Sequence, residues 1–460
     1  MSNTKIVVLD DDPTGSQTVH SCLLLTRWDE NTLEQALLDA SPLFFVLTNT
    51  RGMDATQAAD VTREVCRNLH STLDALKEKG EPINIILVSR SDSTLRGHYP
   101  VETDVIAEEM GPFDAHFLTP AFFEGGRITR DSIHYLMVDG KAVPVHETEF
   151  ANDSVFGFKH SYLPDYVQEK TEGRIKAEQV ERFSLSDVRG DIKSRLLNLN
   201  NNTCCVVDGE TQSDLDNFCK QLIEAAGQGK RFLFRSAASL LTSLAKLPPQ
   251  PVDANSMRQY VRNGKAGAVI VGSHVKKTTS QLNELLKQPG IIPIEVDVNR
   301  LEIASEDLLH FICDKVDAAH KAGNTAVIYT SRVEKTFPDQ QTRLQFGVTV
   351  SAFLMDVVRC LPRDLGFLIS KGGITSNDVL SDGLALRTSR VVGQIHAGCS
   401  VVCCPDDHRL YPNLPVVIFP GNVGDEFALA TVYNRLAGIK KQNNESSNKN
   451  HTLNKKAQEA

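Results

Sequence analysis

Ile6-Val7-Val8-Leu9-Asp10-Asp11-Asp12-Pro13-Thr14-Gly15 reads as a short apolar strand that runs directly into three carboxylates, a proline and a glycine. An apolar run without polar alternation belongs to a strand covered on both faces, hence to a mainly parallel sheet packed between helices. Proline and glycine end such a strand abruptly, so the aspartates are delivered to its carboxyl end.

Working outward, the same pattern recurs: LFFVLTN (43–49), INIILVS (83–89), AHFLTP (115–120), CCVVDGE (204–210) and RFLFRS (231–236) each lead into polar residues and then a helical stretch. It restarts with AGAVIVGS (266–273), IIPIEVDV (291–298), NTAVIYTS (324–331), LGFLISKGG (365–373) and LPVVIFPGN (414–422). The expected fold class is α/β, with two α/β domains in series, each a mainly parallel sheet flanked by helices, and a ligand cleft between them. Pro248, Pro249 and Pro251 interrupt the chain in LAKLPPQPVDANS (244–256) and cannot continue a helix or a sheet interior. That sets the expected domains at 1–245 and 257–438. The last stretch, 439–460, has almost nothing apolar to bury and is expected to be a disordered tail. Between about 150 and 200 the strand pattern lapses, as for an insertion or a set of helices on the first domain.

The 460 residues exceed one ordinary core, and 41% hydrophobic with 23% charged residues is the composition of a packed globular protein. A net charge of -9 offers no basic face, which argues against nucleic-acid partners. The apolar start is too short for a signal peptide or a membrane span, so a cytoplasmic protein with no membrane partner is expected. Ten cysteines without any C-x-x-C, two pairs of them adjacent, read as buried reduced thiols.

In open α/β sheets, ligands bind beyond the carboxyl ends of the strands. There this chain carries Asp10, Asp11, Asp12 and Thr14; then Asn49, Thr50 and Arg51; then Ser89-Arg90-Ser91-Asp92-Ser93-Thr94-Leu95-Arg96-Gly97-His98; then Phe123-Glu124-Gly125-Gly126-Arg127. Arg51, Arg90, Arg96 and Arg127 offer forks for a carboxylate or phosphate, while aspartates and serines match hydroxyls. A small, hydroxylated anion such as a sugar acid satisfies both groups. The second half has glycine turns at the matching places: Gly272-Ser273-His274, Lys371-Gly372-Gly373-Ile374-Thr375-Ser376 and Pro420-Gly421-Asn422-Val423-Gly424-Asp425. Such turns let backbone N–H groups approach a phosphate. Neither G-x-x-x-x-G-K-[ST] nor G-x-G-x-x-G occurs, which excludes a P-loop enzyme and a recognisable Rossmann dehydrogenase.

The first strand also fits the D-x-D-x-T pattern of haloacid dehalogenase-like phosphatases, with Asp10 as nucleophile, Asp12 as general acid and Mg²⁺ between them. Pro13 stands where that family usually has glycine, and the pattern leaves SRSDSTLRGH and the second domain without a role. Taken in order, DDPTG, SDSTLRGH, PAFFEGGRIT, GGITS and PGNVGD resemble the four-carbon acid sugar kinase family over nearly the whole chain. The resemblance implies a sugar-acid-binding N-terminal domain, a nucleotide-binding C-terminal domain, and transfer of a phosphoryl group from ATP, with Mg²⁺, to a hydroxyl of threonate, erythronate or an oxo-tetronate.

It further implies a substrate site on Asp11, Asp12, Arg51, Arg90, Ser91, Asp92 and Ser93. ATP is implied against Ser273, Gly372, Gly373, Ile374, Thr375 and Gly421. Asp12 or Asp92 is the expected proton acceptor, and no metal ligand is assigned. Arg90 stands where many members have lysine, His98 where many have asparagine, and PGNVGDE replaces a Lys-Ala-Gly type of turn. A sugar-acid-binding protein without catalysis is the remaining alternative, and self-association is left open. The two domains are expected to close on their ligands, with the LPPQP segment as one hinge strand.

Overall fold

The computed structural model describes residues 4–439 apart from 274, 333–334, 338 and 422, so the expected tail from 440 onward lies outside the described residues. The strands, in chain order, are β1 Thr4–Asp10, β2 Cys22–Leu25, β3 Leu43–Leu47, β4 Asn84–Arg90, β5 Ala115–Thr119, β6 Arg127–Arg130, β7 Ile133–Val138, β8 Lys141–Pro144 and β9 Glu181–Phe183, followed by β10 Thr203–Val207, β11 Phe232–Ser236, β12 Ala268–Val271, β13 Ile291–Val296, β14 Thr325–Thr330, β15 Leu368–Lys371, β16 Thr388–His396, β17 Cys399–Cys403 and β18 Pro415–Phe419. The apolar runs are strands, and β3, β5, β11, β12, β15 and β18 are buried at every position, as two-sided helical cover demands.

The sheets of the two halves are joined edge to edge. One 15-stranded sheet runs β13-β14-β12-β15-β18-β17-β16-β2-β3-β1-β4-β11-β5-β10-β9. The amino-terminal part, from β2 to β9, is wholly parallel. In the other part β13, β14, β12, β15 and β18 are parallel, while β16 and β17 run antiparallel and close the gap to β2. The seam is reinforced by Arg387 Nη2 on Asp29 Oδ2 at 2.6 Å and by Arg390, whose Nη1 and Nη2 reach Asp39 at 3.0 and 2.7 Å. The LPPQP segment is pinned there too. Gln250 Nε2 donates to the Gln394 carbonyl at 3.0 Å, the Gln394 N–H donates back to Gln250 Oε1 at 2.6 Å, and His20 Nε2 lies 2.8 Å from the Pro248 carbonyl. A pivot at that segment would break these bonds.

β1 has β3 on one side and β4 on the other, and β12 has β14 on one side and β15 on the other. Each half therefore has a topological switch point where the connecting loops part and leave a crevice. The first opens beside Asp10–Asp12 and Arg90–Ser93, the second beside Gly272-Ser273 and Gly372-Gly373. Helix Ala55–Glu78 backs the first crevice. It starts at a capping box between Asp54 and Gln57 and buries Ala58, Thr62, Val65, Cys66, Leu69, Thr72 and Leu76 along one stripe.

Both just before and within the stretch from about 150 to 200 that the strand pattern left open, the chain departs from β/α alternation. Residues 127–144 form a three-stranded antiparallel sheet, β6-β7-β8, and residues after 150 supply short helices and the edge strand β9. Of the ten cysteines, all free, Cys22, Cys66, Cys204, Cys205, Cys219, Cys399 and Cys404 are buried, Cys313 and Cys403 are half-buried and Cys360 is exposed. Among the described residues no helix is long and apolar enough to cross a membrane.

Candidate functional site

A cleft of 1890 Å³ lies between the two crevices, lined by Asp12, Arg51, Arg90, Asp92 and Ser93 from one side and by Ser273, Gly372, Gly373, Ile374, Thr375 and Gly421 from the other. Eleven of the thirteen residues proposed from sequence thus share one cavity. Asp11 and Ser91 do not line it; both are buried directly behind it. His274 and Asn422 of the glycine turns lie outside the described residues.

In the amino-terminal half the loops interlock through charge. Asn49 takes a left-handed conformation, φ 54°, which starts the 3₁₀ turn Thr50–Gly52 and brings Arg51 back over β1. Arg51 grips Asp11 with both Nη2 (2.5 Å to Oδ1) and Nε (3.2 Å to Oδ2), and its Nη1 lies 3.4 Å from Asp12 Oδ2. Arg90 is buried, with Nη1 3.4 Å from Asp10 and 3.8 Å from Asp11. Ser91 Oγ lies 2.8 Å from Asp11 Oδ2 and accepts from Arg235 Nη2 at 2.8 Å. Arg235 continues inward, donating to Ser89 Oγ at 2.7 Å and to Glu102 Oε2 at 2.5 Å, while Thr50 Oγ1 donates to Glu102 Oε1 at 2.6 Å.

Arg235 and Glu102 are a buried pair that sequence reasoning missed. The signal was available for Arg235, a charge set inside the apolar run of β11. It was not for Glu102, which reads as an ordinary helix residue.

Asp12 accepts from the Thr14 N–H at 2.9 Å and from the Thr14 hydroxyl. Burial alone would raise its pKa; the Arg51 charge and the Thr14 donors outweigh burial and hold it below the usual carboxylate range. Asp92 accepts from Arg96 Nε at 2.8 Å and from the Thr94 hydroxyl. Here too burial is outweighed, by Arg51 and Arg96, and Asp92 stays well below the ordinary range. Ser93 is fixed through its carbonyl, 2.8 Å from Nε2 of the buried His134, whose pKa burial pushes down to about 4.

Asp10 behaves differently. It is fully buried and does not line the cleft; burial outweighs the neighbouring Arg90 and pushes it up to about 8. A nucleophile for a phosphate ester must reach the ester, so the phosphatase assignment of Asp10 is corrected: it is a carboxyl buried beneath the loop. Because its folded pKa lies above its unfolded value, the stability it contributes is complete below about pH 4 and is lost as pH rises through about 8. Asp10→Asn is expected to flatten that pH dependence in chemical denaturation and to leave turnover within a few-fold of wild type. Abolished turnover with the fold intact would return Asp10 to the chemistry.

On the other side, Lys371 ends β15 fully buried, its Nζ donating to the carbonyls of Pro420 at 2.6 Å and Gly421 at 3.0 Å, 4.6 Å from the Phe419 ring centroid. Burial pushes this ammonium down to about 7. Lys371 thereby ties two glycine turns into one cradle. The cradle meets the amino-terminal half where a β-carbon placed on Gly373 would sit 3.0 Å from Asp12 Oδ2. The carboxylate of the first loop thus faces the backbone of that glycine turn. Among the described residues no three His, Cys, Asp or Glu side chains form a metal-binding group. Mg²⁺ that accompanies a nucleotide is commonly held by phosphate oxygens and waters with one or two carboxylates.

Fold and cleft together define a two-part α/β protein, with a half rich in arginines, carboxylates and hydroxyls facing a half built of glycine turns. Residues 6–244 match the family model of a sugar-binding N-terminal domain and residues 268–429 that of a nucleotide-binding C-terminal domain. The chain belongs to the four-carbon acid sugar kinase family, whose members join these two domains. A D-erythronate kinase from Heliobacterium modesticaldum (strain ATCC 51547 / Ice1) is 28% identical over 172 residues, a match that spans only 36% of this chain and 36% of that relative. A Salmonella typhimurium LT2 protein provisionally described as a tRNA synthase shares the fold, with a TM-score of 0.66, 16% identity, and 93% of this chain and 98% of that one covered. A Haemophilus influenzae protein of the DUF1537 family shares it too, with a TM-score of 0.62, 17% identity, and 94% and 100% covered.

Proposed function

We propose that this protein is an ATP-dependent kinase that phosphorylates a hydroxyl of a small, four-carbon sugar acid such as erythronate, threonate or an oxo-tetronate. The observation that carries the reading is the meeting of Asp12 with the Gly373 turn, which supports Asp12 as a proton acceptor beside the phosphates of a nucleotide held on that turn. Phosphoryl transfer asks a protein chiefly to align a hydroxyl with the terminal phosphate and to stabilise charge on its oxygens. Arg51 and the Arg90–Ser93 loop hold the substrate, with Asp11 and Ser91 fixing them from behind. Asp12 takes the hydroxyl proton as the oxygen bonds to phosphorus; the bond from phosphorus to the β-phosphate oxygen breaks and ADP leaves. Ser273, Gly372, Gly373, Ile374, Thr375 and Gly421 cradle the nucleotide. Mg²⁺ bound with it supplies neutralisation of phosphate charge.

The test is ADP release, coupled to NADH oxidation, with Mg²⁺-ATP and a panel of four-carbon sugar acids, their 2-oxo and 3-oxo forms and five-carbon neighbours. ADP formed with one acid, at a rate well above the ATPase background, is the expected result. Silence across the panel, with phosphate released from phosphosugars, would sink the kinase reading.

A further inference from the structure

The cleft holds more arginine than the sugar-side carboxylates neutralise. Arg51 is committed to Asp11 and Asp12, Arg90 stands 3.8 Å from Asp11 and 3.4 Å from the buried Asp10, and Arg96 is committed to Asp92 at 2.8 Å, with Asp153 at 3.8 Å. Arg127 also lines the cleft, yet among the described residues no carboxylate lies within ion-pair distance of it, and its Nε is buried without a hydrogen-bond partner. Among the described residues its side-chain bond runs from Nη1 to the Gly125 carbonyl. Asp92, which attracts it from farther off, is already engaged by Arg96 and Thr94.

Arg127 is nevertheless held firmly. Its backbone pairs with Phe122 in both directions, at 2.8 and 3.0 Å, and its guanidinium carbon stands 5.9 Å from the Phe122 ring centroid. A β-carbon on Gly125 would fall 2.5 Å from both Arg127 Nη1 and the Phe122 ring, so the fork is laid across a residue that has room for it only as glycine. Taking a guanidinium out of water without a counter-ion is costly, and burial pushes its pKa down accordingly. A fixed, uncompensated fork at the wall of a cleft calls for an anion from outside.

We infer that Arg127 receives the carboxylate of the substrate, and that Arg51, already engaged by Asp11 and Asp12, holds the substrate elsewhere. The inference rests on the sugar-acid reading above and narrows it: the site selects an acid over the neutral polyol of the same length. The hydroxyls then fall to Asp92, Ser93 and Asp12, which places the far end of a four-carbon chain toward Gly373.

Titration calorimetry without nucleotide tests this, using erythronate and threonate against neutral erythritol and threitol. Wild type is expected to bind one of the acids and neither tetritol comparably. Arg127→Met is expected to weaken acid binding by about 10- to 100-fold and to erase the preference for the acid. Arg127→Lys, which keeps the charge and loses the fork, should retain the preference with an intermediate affinity, and guards against a Met variant that fails to fold. An Arg127→Met protein that binds the acid within about two-fold of wild type overturns the assignment. So does a wild type that binds neither acid, or that binds the tetritols equally. Acid binding by wild type with no ADP formed in the coupled assay would sink the kinase reading alone and leave Arg127 where it is.

Discussion

Asp12→Asn lowers turnover of the sugar acid by roughly 10²- to 10⁴-fold, the range for losing a positioned proton acceptor, while nucleotide affinity stays within a few-fold. The argument turns on which of two ionised aspartates faces the transferred group. Asp92 has its Oδ2 engaged by Arg96 and Thr94 and lies among the loops of the amino-terminal half. Asp12 lies against Gly373, the turn proposed to cradle the nucleotide. Asparagine keeps the shape and can still accept from Thr14, so the loss is one of charge and basicity and not of fold. Asp92→Asn should act mainly on KM for the acid, because a carboxylate that orients hydroxyls contributes to binding throughout the reaction. Since Arg51 holds Asp12 below the usual carboxylate range, the acid limb of kcat should also fall below that range. Pre-steady-state and steady-state ADP release, with calorimetric nucleotide titration, decides the matter. Normal kcat in Asp12→Asn with lost kcat in Asp92→Asn would exchange the two roles.

How much of this was legible in the sequence depends on the distance over which each feature is determined. An apolar run that breaks into Asp10-Asp11-Asp12 announces both a buried parallel strand and a chemical strand end, because both follow from a few adjacent residues. The same holds for the glycine turns after β12, β15 and β18. The β7–β8 hairpin was equally local: Asp139-Gly140, both at positive φ, is a two-residue hairpin signal that a search for parallel strands passes over. What the sequence could not show is pairing. Nothing in Arg51, Arg90, Arg96 or Arg127 taken singly tells which is neutralised by a carboxylate 40 or 80 residues away and which is left for a ligand. Nor does the four-residue run Cys22–Leu25 reveal that it pairs with Thr388–Val391 and fuses two sheets into one. Those outcomes belong to tertiary geometry, where one arginine more or less at a strand end changes every partner.

Gly97 is where local and tertiary requirements meet, and Gly97→Ala is expected to cost about 3 to 5 kcal/mol. The residue has φ 124°, a conformation L side chains rarely adopt, and a β-carbon there would lie 2.4 Å from Ser91 Oγ, 2.7 Å from Arg235 Nη2 and 3.0 Å from Asp11 Oδ2. Those atoms are the buried network that holds Arg51, so the strain reaches the cleft. Thermal unfolding should show a fall in Tm of roughly 10 °C, and KM for the acid should rise as Arg51 loses its backing. Backbone strain and collision can be separated. Ser91→Ala removes the atom in closest conflict and leaves φ untouched, so Ser91→Ala/Gly97→Ala should be less destabilised than the sum of its single variants. Additivity in that cycle would assign the whole cost to the backbone. A Gly97→Ala protein that melts with wild type and keeps its KM would mean that Ser91, Arg235 and Asp11 yield without consequence, and that the network behind Arg51 does not set its position.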